Sequence, residues 1–556
     1  GEAERVERAR LLTRPGFEAV VRGAAEHLGA ARFESARLAL TQLDTHPDRA
    51  DTELAGRAAE LWTRLAAYLD RPEVLDAARR WTEAAGRPFT APEVTAWPES
   101  LREPVWTPQQ PVEAFGYADL VSSPLCSADL RPLTMVDDEE FQISTRRNQP
   151  AVEFPYLYPL VSGDTVYTND GLWISAWDRF TLTPKWRTKP RGADYEREDI
   201  ESMYASAPYR RNRSRDAGEV STLAKSGRLL LAATGIVTDG TRSGDPRLHA
   251  FDSQTGRVLW STYIDELDPQ LDQSSTRGPA LVEGDTAIVA VRKIDQARRF
   301  ASAFLVGIDL ADGSLRWVRL CGSAGWLAYG NRGQWSDWPT LHQGVVYRVD
   351  ELGVICAVEA GSGRFRWVRQ LPGVESRMPT PRLPWASSQP IIDGDTLLAL
   401  GPDRSELLRL DLATGEIIGR RTTRDFGSEQ HRPGYMFAHQ GRLVAVGPNN
   451  ITTVAIDRAI DGPLRLSKQI PSPGIIGRVV AGGEALLVPV QTGVGVLNFQ
   501  SLEAEIGIPL DAPGNLLPLS TQLLTLDNER LHSYLVWEDA ATVLAERLDA
   551  NPADAE

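Results

Sequence analysis

The sequence predicts a mainly β protein: an eight-bladed β-propeller of four-stranded antiparallel blades, with an α-helical repeat-like region before it and a helix after it. Three observations predict this. A phrase of small residue, any residue, Asp, two residues, Thr-Gly, three residues, Trp recurs along the chain, fullest in AFDSQTGRVLW with Ala250, Asp252, Thr255, Gly256 and Trp260. Eight segments in which a glycine or turn leads into an apolar run are spaced between these copies, from GDTVYT at Gly163 to TQLLTL at Thr521. Helical periodicity is confined to the two ends. A self-similar unit of several tens of residues signals a repeat architecture.

At the start of the chain Phe17, Val20, Val21, Ala24 and Leu28 fall on one helical face, and Phe33, Ala36, Leu40 and Leu43 on the next. Leu54, Ala58, Leu61, Leu65 and Tyr68 make a third face, and Val74, Leu75, Ala78 and Trp81 a fourth. The stretch from Gly29 to Ala36, followed by Pro47, resembles the second helix of a tetratricopeptide repeat. Residues 1–86 are therefore expected to form a helical domain. Residues 87–116 carry Pro88, Pro92, Pro98, Pro104, Pro108 and Pro111, a density that stiffens the chain and forbids regular helix, so they read as a linker.

From 117 to 537 the repeat governs. Further copies keep Asp178 and Trp186; Asp309, Gly313 and Trp317; Gly363 and Trp367, with Glu359 for Asp; and Asp411 and Gly415, with Gly419 where the Trp would stand. AIDRAIDGPLR keeps only Ala455 with Asp457, and VLNFQSLEAEI only Val496 with Asn498. Glycine accepts positive φ in a tight turn, and short Asp and Thr side chains hydrogen-bond turn backbone. The Trp is expected to lie over a neighbouring blade as a spacer. The last unit offers only three strands, so a segment between Leu120 and Ser144, such as EEFQIS, is expected to complete it and remove an exposed edge. Residues 538–556 return to a helical pattern.

Counting four strands per blade puts the glycine turns on one rim and the connections after each Trp strand on the other. Long irregular segments fall on the second: 187–220, 261–278, 319–338, 370–389 and 421–435. Long loops on a rigid scaffold are where binding resides. Candidate partner-binding residues there are Arg210, Arg211 and Arg213 in YRRNRSR, Trp326, Trp335 and Trp338 in GWLAYGNRGQWSDW, and His431. A solvated arginine loop, packing of the tryptophans onto the rim, and an ordinary loop histidine are the plainer readings of the same residues.

The repeated phrase resembles the docking motif of quinoprotein-type, PQQ-like eight-bladed propellers, a superfamily with both alcohol dehydrogenases and the non-enzymatic BamB-type assembly scaffold. Similar combinations of helical repeats and PQQ-like propellers occur in planctomycete-like bacterial proteins. The resemblance implies a periplasmic or otherwise extracytoplasmic setting and protein partners. Its enzymatic branch implies pyrroloquinoline quinone on a Trp floor, Ca²⁺ held by oxygen ligands, and an Asp base, for which Asp337 is the nearest candidate. The adjacent Cys-Cys pair common in the dehydrogenases is absent.

Composition narrows the choice. A net charge of −15 argues against a polyanionic partner such as nucleic acid. No run of about twenty apolar residues is present to span a membrane. Cys126, Cys321 and Cys356 have neither metal-ligand nor haem-attachment spacing and make no disulfide framework. No GxxxxGK[ST], HExxH or GxSxG occurs. The expectation is a non-enzymatic protein-binding scaffold without cofactor. The alternatives are a PQQ and calcium dependent dehydrogenase or the sensor domain of a larger signalling protein; the chain begins with Gly, which suggests processing or a segment of a longer protein.

Overall fold

The computed structural model describes residues 12–92 apart from 30–32 and 69–71, then 124–130, then 157–535 apart from 171–172, 190–221, 238–242, 296–299, 326–336, 372–386, 403, 427–432, 463–465, 472–473, 511–513, 520–521 and 528–529, and four residues beyond. Among the described residues near the N-terminus lie four α-helices, α1 (Arg14–Gly29), α2 (Phe33–Thr41), α3 (Thr52–Tyr68) and α4 (Pro72–Ala84). The faces anticipated from periodicity meet: Phe17, Val20, Leu40, Leu54, Leu65, Val74 and Trp81 share one apolar core. Asp51 caps α3 by accepting from the amides of Glu53 and Leu54.

Eight antiparallel sheets follow, with strands in sequence order within the first seven blades. Blade 1 consists of Leu160–Ser162, Thr165–Asn169, Ile174–Asp178 and Pro184–Thr188. Blades 2 to 7 occupy 223–263, 274–325, 340–370, 391–422, 435–469 and 480–509. In blade 3 the innermost position is divided between Ser274–Thr276 and Leu281–Glu283, both paired to Thr286–Asp295.

Blade 8 takes Asn515–Leu519, Gln522–Leu526 and Arg530–Leu535 from the end of the propeller, and its outer strand, Cys126–Asp129, from before blade 1. Cys126 pairs with Ser533 and Asp129 with Arg530, whose guanidinium also donates to the Asp129 carboxylate at 2.9 Å. Ring closure from the N-terminal side is as expected, but the segment is CSAD. The suggested EEFQIS lies outside the described residues, as does most of the expected C-terminal helix.

The repeated phrase builds the joint between blades. Asp252 Oδ1 accepts from the amides of Gln254 and Thr255, and Gly256 closes the turn by donating to the Asp252 carbonyl. Asp178 and Asp411 hold their turns likewise, and Asn498 does the same in blade 7. Each Trp then reaches the next blade: Trp186 Nε1 donates to Ser253 O, Trp260 to Leu310 O, Trp317 to Ala360 O and Trp367 to Leu412 O, at 2.9–3.0 Å. Every acceptor is the residue following the turn's acid. Two positions after each Trp, Thr188, Thr262, Arg319 and Arg369 donate to the carbonyls of Gly256, Gly313, Gly363 and Gly415.

The joint survives where the phrase erodes. In blade 5, Gly419 replaces the Trp, and Arg409 on the facing strand donates to Ile456 O. Ile456 is the equivalent acceptor, because its amide donates to Gly441 O as that of Ser253 does to Arg228 O. The acid position of blade 6 is thus Ala455, paired to Arg442 as Asp252 is to Leu229. Asp457 stands two residues later, in a 3₁₀ turn over Ile456–Arg458, so the copy expected there is displaced by two. At the closing junction Gln522 Nε2 donates to Arg179 O.

Candidate functional site

The most concentrated chemistry among the described residues lies where blade-to-blade connections enter the innermost strands. Tyr158, Trp338, Gln389 and Arg478 each stand two residues before such a strand, in blades 1, 4, 5 and 7. Arg478, 4% exposed, spans them. Its guanidinium stacks 4.3 Å from the Trp338 ring and 4.6 Å from the Tyr435 ring, and Tyr158 meets Trp338 edge-on at 5.5 Å. Its Nη2 donates to Ser387 O at 2.6 Å and its Nε to the Tyr158 hydroxyl at 3.3 Å, while its own amide donates to Asn515 Oδ1. A desolvated cation between two aromatic faces ties blade 7 to residues of blades 1, 4 and 6, and its backbone amide adds blade 8.

Beside this cluster lies a buried ionic network. Asp337 Oδ2 accepts two hydrogen bonds from Arg348, whose side chain is fully buried. Burial opposes charge on Arg348, but Asp337, Cys321 and Asp350 outweigh it and raise its affinity for its proton. Glu351 faces Arg404 at 3.6 Å. Burial pushes the Glu351 carboxyl up to about 8, against the pull of Arg292 and Arg404, and also raises Asp350. Arg292, Asp337, Asp350, Glu351, Ser387 and Arg404 line a cavity of about 30 Å³ between blades 4 and 5.

Trp338 is 2% exposed and belongs to the axial cluster; its ring is not on the rim surface where a docking macromolecule would meet it. Arg210, Arg211, Arg213, Trp326, Trp335 and His431 lie outside the described residues. The axial residues Arg478, Tyr435 and Tyr158 were missed by sequence reasoning, although a bulky residue two before an inner strand is a signal that recurs.

The sequence matches the family described as outer membrane protein assembly factor BamB over residues 142–418 and 322–489, which together cover more than half of the chain. The chain belongs to the BamB family. No curated protein matches it. Among solved structures, BamB from Moraxella catarrhalis is 15% identical, with 75% of this chain and 99% of that one covered and a TM-score of 0.47. A quinohemoprotein alcohol dehydrogenase from Comamonas testosteroni is 11% identical, covering 69% and 75%, with a TM-score of 0.47. Sqt1 from Saccharomyces cerevisiae is 10% identical, covering 74% and 98%, with a TM-score of 0.45.

The repeat's resemblance to quinone enzymes raises the question of whether these residues fit such a group. They do not fit it. The Trp338 face on which a planar quinone would stack is covered by Arg478, and Asp337 is engaged by Arg348. The adjoining cavity is lined chiefly by charged and polar side chains, among them Arg292, Asp337, Asp350, Glu351 and Arg404, and offers no flat aromatic floor. Among the described residues no three His, Cys, Asp or Glu side chains are grouped to hold a metal ion, and no helix is long and apolar enough to cross a membrane.

Proposed function

We propose that this protein is a non-enzymatic protein-binding scaffold acting outside the cytoplasm as a platform in a larger assembly. The observation that supports the reading is the Arg478 guanidinium seated on Trp338 and donating to Ser387 O: the protein's own side chain occupies that aromatic face. The longest connections leave the outer strands on a single rim, which leaves that rim as the decorated surface. Arg210, Arg211, Arg213, Trp326, Trp335 and His431 are the residues assigned to partner contact there. The tetratricopeptide-like helical hairpins supply a second protein-binding surface. The family's description as an assembly factor agrees with this use.

The test is calorimetric titration of the purified chain with pyrroloquinoline quinone, with and without Ca²⁺, followed by a dye-linked alcohol oxidation assay. The scaffold reading expects no binding heat and no dye reduction. Tight, calcium-dependent binding would overturn it and make this protein a dehydrogenase.

A further inference from the structure

The outer strand of blade 3, Leu315–Gly325, is interrupted where it pairs with Phe300–Asp309. Phe304 faces Leu320 and Ala303 faces Gly322, so Cys321 is the extra residue of a β-bulge. A bulge re-aims the side chain at its extra position. Here it turns Cys321 towards blade 4, where it shares an apolar cluster with Cys356, Val346 and Val358. The next residue is Gly322, and a β-carbon there would lie 2.8 Å from Val354 Cγ2 and 2.9 Å from Asp350 Oδ2. That close approach of the two blades requires glycine, and it sets Cys321, whose Sγ donates to Arg319 O at 3.6 Å, in the same packed cluster as Cys356 across the junction.

A buried positive charge stands beside the two thiols. Arg348 is the cross-strand partner of Cys356, so both project from one face of blade 4. Its Nη1 has no hydrogen-bond partner although the residue is fully buried. The hydrogen bond from Cys356, with the Arg348 charge, makes Cys321 the more acidic thiol; the same bond and burial push Cys356 up. Cys321 is also the more accessible, 7% exposed against 1%. Both thiols are free in the structure.

We propose that Cys321 and Cys356 are a hydroperoxide-oxidisable pair that closes into a disulfide joining blades 3 and 4. The Cys321 thiolate attacks one oxygen of hydrogen peroxide; the O–O bond breaks, hydroxide leaves, and Cys321 becomes a sulfenic acid. Cys356 then loses its proton and attacks the Cys321 sulfur, and the S–O bond breaks to release water. In sum, two thiols and one peroxide give one disulfide and two waters. Cys321 is the attacking thiol and Cys356 the resolving one.

The experiment uses the full chain carrying Cys126→Ser, treated with hydrogen peroxide, alkylated, and digested with trypsin without reductant. Peptides 320–332 and 349–364 are expected to appear joined, two hydrogens lighter than their sum, and to separate with dithiothreitol. Recovery of both peptides alkylated and unlinked overturns the proposal. In the Cys356→Ala variant, dimedone is expected to label Cys321; label absent from Cys321 in a folded variant overturns the assigned order. Should that variant not fold, the linked peptides of the parent decide alone.

Discussion

Trp367 lies across Gly415 at such close range that a β-carbon on that glycine would come within 2.4 Å of the indole, while Gly415 itself is held at φ 68°. Gly256, Gly313 and Gly363 stand under Trp186, Trp260 and Trp317 in the same way. The glycine is therefore dictated by the preceding blade as much as by its own turn. Where no Trp arrives, leucine occupies the position despite positive φ: Leu182 at 54° and Leu502 at 57°, each buried in an apolar cluster.

Gly415→Ala is expected to destabilise the propeller by ~2–4 kcal/mol, combining the left-handed backbone cost with overpacking against Trp367. Trp367→Ala alone should cost roughly 3–5 kcal/mol. In urea melts the double variant should be less destabilised than the sum, by about 1–3 kcal/mol, because the clash disappears with the indole. Strict additivity would separate the two residues.

Arg409→Met removes the donor that replaces a Trp at the junction of blades 5 and 6. The Ile456 carbonyl then loses its partner, at an expected cost of ~1–3 kcal/mol. An unchanged denaturation midpoint would mean that this junction does not rely on the bond.

Asp337→Asn leaves the Arg348 charge buried without its counter-charge. A loss of about 3–5 kcal/mol is expected, read by thermal or chemical melts. If Asp337 served catalysis instead, its replacement would leave stability nearly intact.

Glu351 makes the propeller's stability pH-dependent. Its folded pKa of about 8 lies above the ordinary glutamate value of 4.5, so the folded state holds the proton that the unfolded chain gives up. Stability contributed by that proton is fully present below the unfolded value and is lost as pH rises towards 8. Glu351→Gln should therefore be the more stable protein at pH 8, by ~1–3 kcal/mol, with the advantage vanishing near pH 4. An equal difference at both pH values would sink this assignment.

Asp411 works with the opposite sign. Hydrogen bonds from the Thr414 hydroxyl and amide hold its carboxyl below the ordinary value, so its contribution is present above pH ~4 and is lost as pH falls through the lowered value. Asp411→Asn should flatten the acid limb of the stability profile, measured by melts between neutral and strongly acidic pH.

Much of the ring was legible because its joints are local. Asp252 through Trp260 is one contiguous phrase, and its partners sit at the same places in the next copy. Blade 6 was misplaced by two residues because Ala455 removes the acid that marks the turn and Asp457 offers a false one. The closing strand was sought in the right stretch, yet a four-residue strand such as Cys126–Asp129 carries little pattern of its own. The axial cluster was illegible for another reason. Arg478 and the Tyr158 hydroxyl that it contacts are 320 residues apart, and nothing local announces that they meet. Cys321 and Cys356 share that fate, since only a bulge turns one towards the other.

The outer strand of blade 8 sets the order of events when the chain is made. Ser127 finds His532, 405 residues later, and until then Cys126–Asp129 has no sheet to join. Among the described strands of the propeller, the first synthesised is thus the last to be placed, after seven blades already have their own strands in hand. Long-range pairing of this kind is slow, and in the meantime blade 8 lacks its outer strand and leaves an uncovered edge, a template for another chain. Ribosome-bound chains stopped before Arg530 should accordingly need protection from one another, a requirement that ends when the two ends of the propeller meet.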